Sequence, residues 1–443
     1  MRTFLAVILA SPDPPGPGAL HFLLGRPLLR FAWEAVRGAR PSGAVVIWGL
    51  PAASVAAALG AAERAFVALG SISRRPVRTG LRLHEPNAGG PALAGLAAVR
   101  RAVRARTEDD VLLLAADLPL LESPTLRTLL RRHRDEDNAL TVLTGEEEEA
   151  ARAAALVVRR SDLVRAVSRA AALTQGAGPL ESLVAGFLLR RKKVGAVSPG
   201  RSEELLQVRS WPEMAQAGAV LRDRKNRDLG LSGVALRDPA SAWIDLDVEV
   251  GPGTVIFPNV VIEGASVIGR DVRIEPHVHL RDVRLGDRVR VLSSSLVEGC
   301  VVEDDVQVGP FSRLRPQTVL RTGSRVGNFV EMKNTDFGPG SKALHLSYLG
   351  DSLVERGVNV GAGTITCNYD GVRKNRTHIE EGAFIGSGTQ LIAPLRVGRG
   401  SYVGAGSTIT KDVEPGALAV SRSRQIQKPG WAARRRAKKN AAK

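Results

Sequence analysis

The chain has 443 residues, of which 44% are hydrophobic and 24% are charged, so it is long enough for two or three globular domains. Only two cysteines occur, Cys300 and Cys367, too far apart for a metal knuckle. Their number excludes a disulfide-rich secreted scaffold and fits a reducing cytoplasm. The net charge of +17 suggests a polyanionic partner, and much of it lies in a basic tail predicted over residues 426–443. No aromatic stacking set accompanies this tail, so we expect no nucleic-acid partner.

The first ten residues (MRTFLAVILA) resemble a signal peptide only superficially, because the apolar run is short and a proline-rich stretch follows at once. We therefore interpret residues 4–10 as a buried first strand. No run reaches the roughly 18 apolar residues that a membrane-spanning helix needs. We expect no membrane segment and a cytoplasmic protein.

Residues 1–211 alternate between two kinds of segment. Strands are predicted at residues 4–10, 44–50, 111–116 and 139–143, and helices at residues 28–37, 92–104, 125–132 and 180–189. Such alternation is typical of a Rossmann-like α/β domain with a mostly parallel sheet. Ligands bind beyond the carboxyl ends of its strands, where Asp117 stands. A carboxylate there commonly holds Mg²⁺ on a nucleotide phosphate, although a cap for the following segment explains Asp117 almost as well.

A helical linker is predicted over residues 212–233, and after it the sequence changes to a period of six. Aliphatic residues recur every six positions through most of residues 250–409, with Gly, Asp, Asn and Ser between them. A hexapeptide repeat gives this spacing, because each repeat forms one short strand and a corner whose aliphatic residue points into a shared core. A β-sandwich would instead show turn signals about every eight to twelve residues. Residues 234–425 are therefore predicted to form a parallel β-helix.

Two departures from this period, at residues 333–349 and 364–378, are surrounded by polar residues. These are Arg315, Lys333, Lys342, His345, Tyr348, Asn368, Tyr369, Arg373 and Lys374. The imidazole of His345 can accept a proton at neutral pH, although a loop histidine with satisfied hydrogen bonds is the commoner case. Clustered Arg and Lys side chains suit a phosphate.

Residues 309–431 resemble the acyltransferase domain of the bifunctional N-acetylglucosamine-1-phosphate uridylyltransferase/glucosamine-1-phosphate N-acetyltransferase family. The matching segments are residues 309–316 (GPFSRLRP), 326–333 (VGNFVEMK), 340–351 (GSKALHLSYLGD) and 358–371 (VNVGAGTITCNYDG). Hexapeptide repeats alone say little about a substrate, whereas this ordered set of segments is specific.

The resemblance implies a left-handed β-helix of triangular section that assembles as a homotrimer. It implies acetyl-CoA-dependent N-acetylation of glucosamine 1-phosphate, on the pathway to UDP-N-acetylglucosamine and the bacterial cell wall. His345 matches the general base that deprotonates the substrate amine. The positions that hold the sugar phosphate match Arg315, Lys333, Tyr348 and Asn359. Those that bind acetyl-CoA match Ala362, Asn368, Tyr369, Ser387, Ala405 and Arg422.

Two further roles are inferred from this match. We expect Glu331 to orient the imidazole of His345. We also expect the amide of Ala362 to stabilise the negative charge that develops on the thioester oxygen. The basic tail resembles the cationic end of the family, which lies near the phosphates of the coenzyme.

The resemblance is weaker in the first domain, which in this family joins UTP to N-acetylglucosamine 1-phosphate. The family's glycine-rich phosphate loop is replaced by residues 9–18 (LASPDPPGPG), whose prolines cannot donate backbone hydrogen bonds. Asp117 matches one metal ligand, but Arg209 replaces the second, an asparagine, and should repel Mg²⁺ and pair with Asp117. His84 replaces a base-reading glutamine.

Residues 24–29 and 89–96 also resemble molybdenum-cofactor guanylyltransferases, which supports a nucleotidyltransferase fold. We therefore expect weak or lost uridylyltransferase activity and a doubtful Mg²⁺ site. Three alternatives remain open: a fully bifunctional enzyme, a sheet domain that only binds a nucleotide or spaces the trimer, and a basic nucleic-acid-binding rod, which does not explain the polar residues around His345.

Overall fold

The computed structural model describes residues 3–9, 18–41, 45–48, 57–59, 67–68, 81–84, 103–104, 107–145, 153–170 and 179–440. The chain forms two compact units, Met1–Lys225 and Asn226–Lys443. The predicted division into residues 1–211, 212–233, 234–425 and 426–443 stays a prediction.

The first unit is built on a mixed β-sheet. Its strands are β1 Phe4–Leu9, β4 Val45–Trp48, β5 Val67–Ala68, β6 Leu81–His84, β7 Asp110–Ala115, β8 Leu140–Leu143, β9 Ala155–Arg159 and β10 Val194–Val197, with β2 Phe22–Leu23 and β3 Arg26–Pro27 forming a separate hairpin. The order is β10-β8-β9-β7-β1-β4-β6-β5. Among the described strands of this sheet, β9 alone runs antiparallel to its neighbours, which the sequence did not predict.

Helices accompany this sheet. They are α1 Leu28–Gly38, α2 Ser123–Asp135, α3 Arg160–Ala170 and α4 Pro179–Leu189, with a 3₁₀ turn at Ser202–Leu205. The next helix, α5 Trp211–Leu231, contains the boundary between the two units. Alternate residues of β1 enter two different core clusters, Ala6 and Ile8 in one and Leu5 and Val7 in the other. The sheet is therefore buried on both faces, which explains the unbroken apolar run of β1. The predicted helix at residues 92–104 lies mostly outside the described residues.

The second unit is a rod of parallel coils with three flat faces. Face 1 consists of Ala235–Leu236, Val255–Ile256, Arg273–Ile274, Arg290–Val291, Gln307–Val308, Arg325–Asn328, Lys342–His345, Asn359–Val360, Phe384–Ile385, Tyr402–Val403 and Leu418–Ala419. Face 2 consists of Trp243–Ile244, Val261–Glu263, His279–Arg281, Leu296–Glu298, Arg313–Leu314, Glu331–Lys333, Tyr348–Gly350, Ile365–Cys367, Gln390–Ile392 and Thr408–Ile409. Face 3 consists of Glu249–Val250, Val267–Ile268, Arg284–Leu285, Val301–Val302, Val319–Leu320, Asp336–Phe337, Ser352–Val354, Thr377–Ile379 and Leu395–Val397.

The period of six produces the core of this rod. The aliphatic residue of each repeat points inward, and apart from the half-buried Val250 these residues are buried in one continuous cluster. Burying a side chain of this size contributes about 1.5–3 kcal/mol, and the coils obtain it only by stacking. The predicted parallel β-helix of hexapeptide repeats is confirmed.

The two departures from the period differ in structure. At residues 333–349 the coil continues, because Phe337, Ala343 and Leu349 take up the inward positions and are fully buried. At residues 368–376 the chain leaves the coil as a loop, closed by an antiparallel bridge between Tyr369 and Lys374. Only the second departure is therefore an insertion into the rod.

The exposed helix α6, Trp431–Asn440, follows the last coil and carries most of the cations of the basic tail. None of the helices among the described residues has the length and apolarity needed to cross a membrane.

Candidate functional site

His345 ends a face 1 strand, at the corner where the chain turns toward face 2. Its strand pairs with the strand one coil below, and Asn328 lies directly opposite His345. The Nδ1 atom of His345 lies 2.9 Å from Oδ1 of Asn328. A glycine precedes Asn328 because a Cβ at position 327 would lie 2.0 Å from the carbonyl oxygen of Leu344. The two strands thus approach closely where they carry these side chains.

The expected contact between Glu331 and His345 is wrong. Glu331 lies on face 2, and its Oε1 atom accepts a hydrogen bond of 3.1 Å from Nη1 of Arg315. The carboxylate is therefore engaged with a guanidinium, and an amide takes the place beside the imidazole.

A cationic cluster lies at the far edge of face 2, where Arg315 and Lys333 follow the core residues of adjacent coils. Lys374, from the loop at residues 368–376, approaches Lys333 and is the main reason why the pKa of Lys333 is lowered. Arg315 adds to this effect, and Asp351 opposes it. Lys333 and Lys374 thus meet beside the Asp351 carboxylate, and Arg315, which is bonded to Glu331, adds a third positive charge near Lys333. Such a cluster suits a phosphate group. The sequence already counted Lys374 among the clustered cations that suit a phosphate, although the family match did not include it.

Asp351 ties this cluster to the rod. It accepts hydrogen bonds from Nδ2 of Asn334, at 2.7 Å, and from Nδ2 of Asn368. Burial raises its pKa, but these bonds and the nearby lysines lower it further, so the carboxyl pKa lies below its ordinary value. Asp351 is therefore ionised at neutral pH and attracts both lysines.

Tyr348 lies across face 2, on the same coil as His345. A Cβ at position 350 would lie 2.5 Å from the tyrosine hydroxyl oxygen and 2.8 Å from Nδ2 of Asn368. Gly350 thus leaves room for the phenol ring, which extends from the His345 side of the face toward the cationic cluster.

Three of the predicted acetyl-CoA residues share one column of the rod. Ala362, Ser387 and Ala405 each stand two positions after a paired core residue of face 1, on the coils that follow His345. Within the described part of the chain, their backbone amides donate no hydrogen bond. The fourth, Arg422, donates from Nη1 to the carbonyl oxygen of Ala405 at 2.7 Å. The corner therefore presents a row of free amides.

The remaining predicted residues lie elsewhere. Asn368 donates to Asp351, and Tyr369 opens the loop, with its hydroxyl donating to the carbonyl of Gly371 at 2.6 Å. Asn359 lies on face 1 between Lys342 and Phe384, not beside the cationic cluster of face 2. A single chain thus brings together all the predicted sugar-phosphate residues except Asn359.

In the first unit, Asp117 follows strand β7. Its backbone carbonyl accepts a hydrogen bond of 2.9 Å from the amide of Val208, which brings Arg209 near. Arg209 donates its side-chain hydrogen bond to Gln207 rather than to Asp117, so the expected pairing is not formed. Burial raises the pKa of Asp117, although the charge of Arg209 partly opposes it.

The Oδ1 atom of Asp117 is buried and has no hydrogen-bond partner among the described residues. Such an atom fits one ligand of a magnesium ion, which usually takes one or two carboxylates and completes its shell with water and substrate phosphates. The described residues contain no group of three or more His, Cys, Asp or Glu side chains that could hold a metal. Residues 10–17, 89–96 and 146–149 lie outside the described residues, as does the side chain of His84.

Comparison with known proteins agrees with this architecture. A MobA-like NTP transferase domain model matches residues 17–194, and a bacterial transferase hexapeptide model matches residues 376–411. Bifunctional protein GlmU of Pelobacter propionicus is 39% identical, over 99% of this chain and 100% of that protein. The GlmU proteins of Methylococcus capsulatus and Thermotoga maritima are 40% and 38% identical, over 77% and 74% of this chain and 81% and 79% of their own.

Among solved structures, a nucleotidyl transferase from Methanothermobacter is similar to 49% of this chain over 96% of its own, with 19% identity and a TM-score of 0.36. The full-length match to GlmU is the informative one, because it spans both units. The chain is a transferase with a nucleotidyltransferase-like domain and a hexapeptide acyltransferase domain, and it belongs to the bifunctional GlmU family, the uridylyltransferase/N-acetyltransferase family that its motifs resemble.

Proposed function

We propose that the β-helix transfers the acetyl group of acetyl-CoA to the amine of glucosamine 1-phosphate, giving N-acetylglucosamine 1-phosphate. The observation that carries this proposal is the layout of one coil and its neighbours. An imidazole stands at one edge of face 2, three cations stand at the other, and a tyrosine lies between them. This layout suits a small substrate with an amine at one end and a phosphate at the other.

In this mechanism His345 acts first as a base and then as an acid. The amine nitrogen attacks the thioester carbonyl carbon, a C–N bond forms, and Nε2 of His345 takes the proton that the nitrogen loses. The C–S bond then breaks, and the departing thiolate receives that proton. The free amide of Ala362, one coil beyond His345, supplies a donor for the oxygen that becomes negative in between.

Arg315 and Lys333 hold the phosphate of the sugar, and Lys374 adds a third charge from the loop. Because the pKa of Lys333 is lowered by its cationic neighbours, a bound phosphate dianion relieves repulsion that the free protein carries. The hydroxyl of Tyr348 contacts the sugar between the two ends. This arrangement favours a phosphorylated amino sugar over an unphosphorylated one.

Acetyl-CoA runs along the corner of the rod. Successive coils are about 4.8 Å apart, so the amides of Ala362, Ser387 and Ala405 form a ladder of regular spacing. An extended chain with amide carbonyls, such as the pantetheine arm, can accept hydrogen bonds from such a ladder. Arg422 and the basic tail follow Ala405, the last residue of this row, and their positive charges suit the phosphates of the coenzyme.

A homotrimer accounts for Asn359. This residue lies on face 1, so in a closed ring it can reach the face 2 substrate site of a neighbouring subunit. Cross-linking or light scattering of the purified protein tests the trimer. A monomer with full acetyltransferase activity would refute this role of Asn359.

The proposal is tested by an acetyl-CoA assay on glucosamine 1-phosphate with wild type, His345→Ala and His378→Ala. We expect His345→Ala to lose at least about a hundredfold in kcat, the usual scale of a general base. His378 lies on face 3, bonded to Glu355 at 2.9 Å, and its replacement is the matched control. An unchanged rate in His345→Ala would remove this residue from the mechanism.

A second activity, uridylyl transfer from UTP to N-acetylglucosamine 1-phosphate, belongs to the first unit. The match to a bifunctional protein over 99% of this chain favours the bifunctional alternative over loss of this activity. Asp117 would hold Mg²⁺, which would neutralise phosphate charge there. Arg209, bonded to Gln207, leaves the unpaired carboxylate oxygen of Asp117 available.

The same protein preparation should be assayed for UDP-N-acetylglucosamine formation with Mg²⁺, for wild type and Asp117→Asn. A rate comparable to acetyl transfer that Asp117→Asn abolishes would support the bifunctional enzyme. No product from wild type, under conditions where acetyl transfer proceeds, would support loss of the first activity.

A further inference from the structure

The Nδ1 side of the His345 ring faces an amide, not a carboxylate. Asn328 and His345 are direct neighbours across two paired strands, and their Nδ1 and Oδ1 atoms are 2.9 Å apart. The backbone fixes the asparagine as well, because the amide of Leu346 donates to the carbonyl oxygen of Asn328 at 3.0 Å. Asn328 is therefore held on two sides before any substrate binds.

Nearby residues cannot take over this role. Glu331 is bonded to Arg315, and Ser347 donates its hydroxyl to the backbone carbonyls of His345 and Gly361. Within the described part of the chain, the contact with Asn328 is the hydrogen bond that the imidazole makes.

We propose that Asn328 is a positioning residue for the acetyl transfer: its side-chain oxygen accepts the Nδ1–H of His345 and thereby leaves the lone pair of Nε2 free to receive the proton of the amine. This inference rests on the proposed role of His345 as the base. It names the nitrogen that reacts and the residue that selects it.

The chemistry follows from the two states of the ring. A neutral imidazole carries one proton, and the hydrogen bond of one nitrogen decides which nitrogen keeps it. With Nδ1–H donated to Asn328, Nε2 is the acceptor. After Nε2 takes the proton, the cationic ring still donates through Nδ1–H, and the bond strengthens because the donor is now charged.

An amide suits this role better than a carboxylate would. An aspartate at position 328 would stabilise the protonated ring by its charge, raise the pKa of His345 and slow the return of the proton to the leaving thiolate. The charged or titratable groups on the strands around this corner are Arg325, Lys342, Glu331, Lys333 and Tyr348. They are the same in every variant of position 328, so their influence cancels when variants are compared.

The test compares wild type, Asn328→Ala, Asn328→Asp and the control Gln307→Ala, which removes an amide from face 1 that makes no side-chain hydrogen bond in the described part of the chain. We expect Asn328→Ala to lose about 10- to 100-fold in kcat with little change in either KM, the scale known for removing the hydrogen-bond partner of a metal-bound histidine. Asn328→Asp should move the acidic limb of the kcat profile to higher pH. Gln307→Ala should behave as wild type.

Nitrogen NMR of protein labelled with ¹⁵N-histidine gives a readout that does not depend on activity, with His345→Ala assigning the signal. Above the pKa of the ring, wild type should carry its proton on Nδ1, and Asn328→Ala should revert toward the Nε2–H form that free imidazole side chains prefer. An Nε2–H form in wild type, or an unchanged kcat in Asn328→Ala, would overturn the proposal. Failure of the proposed function appears separately, as full activity of His345→Ala.

Discussion

Replacing Gly327 by alanine should damage both the rod and the site. The new Cβ would lie 2.0 Å from the carbonyl oxygen of Leu344, and Cβ atoms essentially never approach closer than 3.0 Å. The two strands must therefore move apart by at least about 1.0 Å, the difference between these distances. Because the clash is with backbone, no side-chain rotation can relieve it. Overpacking of this kind costs roughly 1–3 kcal/mol.

The same movement should break the contact between His345 and Asn328, because a bond of 2.9 Å that lengthens by about 1 Å no longer counts as a hydrogen bond. We expect Gly327→Ala to lose at least about tenfold in acetyl transfer. Hydrogen exchange of the peptides covering residues 325–346, followed by mass spectrometry, should be faster. Gly323→Ala is the control: position 323 has a φ of +69° but no atom within 4 Å, so it costs only the backbone strain, about 1 kcal/mol. Wild-type exchange and activity in Gly327→Ala would refute this reasoning.

Three further outcomes follow from the second unit. Phe337→Ala should lower the free energy of unfolding by about 3–5 kcal/mol, because the ring is fully buried. Phe329→Ala should lower the free energy of unfolding by only about 0.5–1.5 kcal/mol, because that ring is 57% exposed and stacks on Phe311. Denaturant unfolding of the two variants measures this difference. Asp351→Asn should accelerate hydrogen exchange in the loop at residues 368–376 at pH 7. The pKa of Asp351 in the folded protein is lowered from 3.8. The stability that the Asp351 carboxylate gives the loop is therefore complete above pH 3.8 and disappears as the pH falls through the folded pKa. Below that pH, the exchange rates of variant and wild type should converge. Iodoacetamide should label Cys367 before Cys300 in the native protein, because Cys300 is buried and burial raises the pKa of its thiol to about 12. Mass spectrometry measures the two labelling rates. Equal labelling rates would contradict that burial.

Much of the fold could be predicted from the sequence because the two units have different and strong periods. In the rod, each repeat buries one aliphatic residue, so the spacing from Ile256 to Ile274 already determines a coil. In the first unit, continuous apolar runs located β1 and β7. Strand β9 was not predicted, although residues 155–158 are apolar. Its antiparallel direction could not be predicted either, because the connections of a strand set its direction and its residues do not.

The site could be predicted only in part, because some of its residues come together through the path of a loop and not through the spacing of the repeats. Motifs identified His345, Arg315 and Lys333, and the structure adds how they are held. Lys374 reaches Lys333 through a loop whose path depends on hydrogen bonds to Asp370 from the amides of Val372 and Arg373. A spacing of residues does not reveal such a path. The pairing expected between Asp117 and Arg209 failed for a similar reason, since Gln207 offered the guanidinium a closer partner.

The stacking of the coils explains why Glu331 does not contact His345. In a rod of stacked coils, a residue contacts the residue at the same position of the next coil. Residues adjacent along one strand point alternately into the core and out toward solvent. Counting from the paired core residues Val326 and Ala343, both Asn328 and His345 stand two positions later, so they share a column. Glu331 instead precedes a core residue of face 2 and shares its column with Tyr348. A partner for a catalytic residue in a β-helix should therefore be sought one coil away at the same position, and this rule selects the amide of Asn328 once the core residues that pair across the two coils are known.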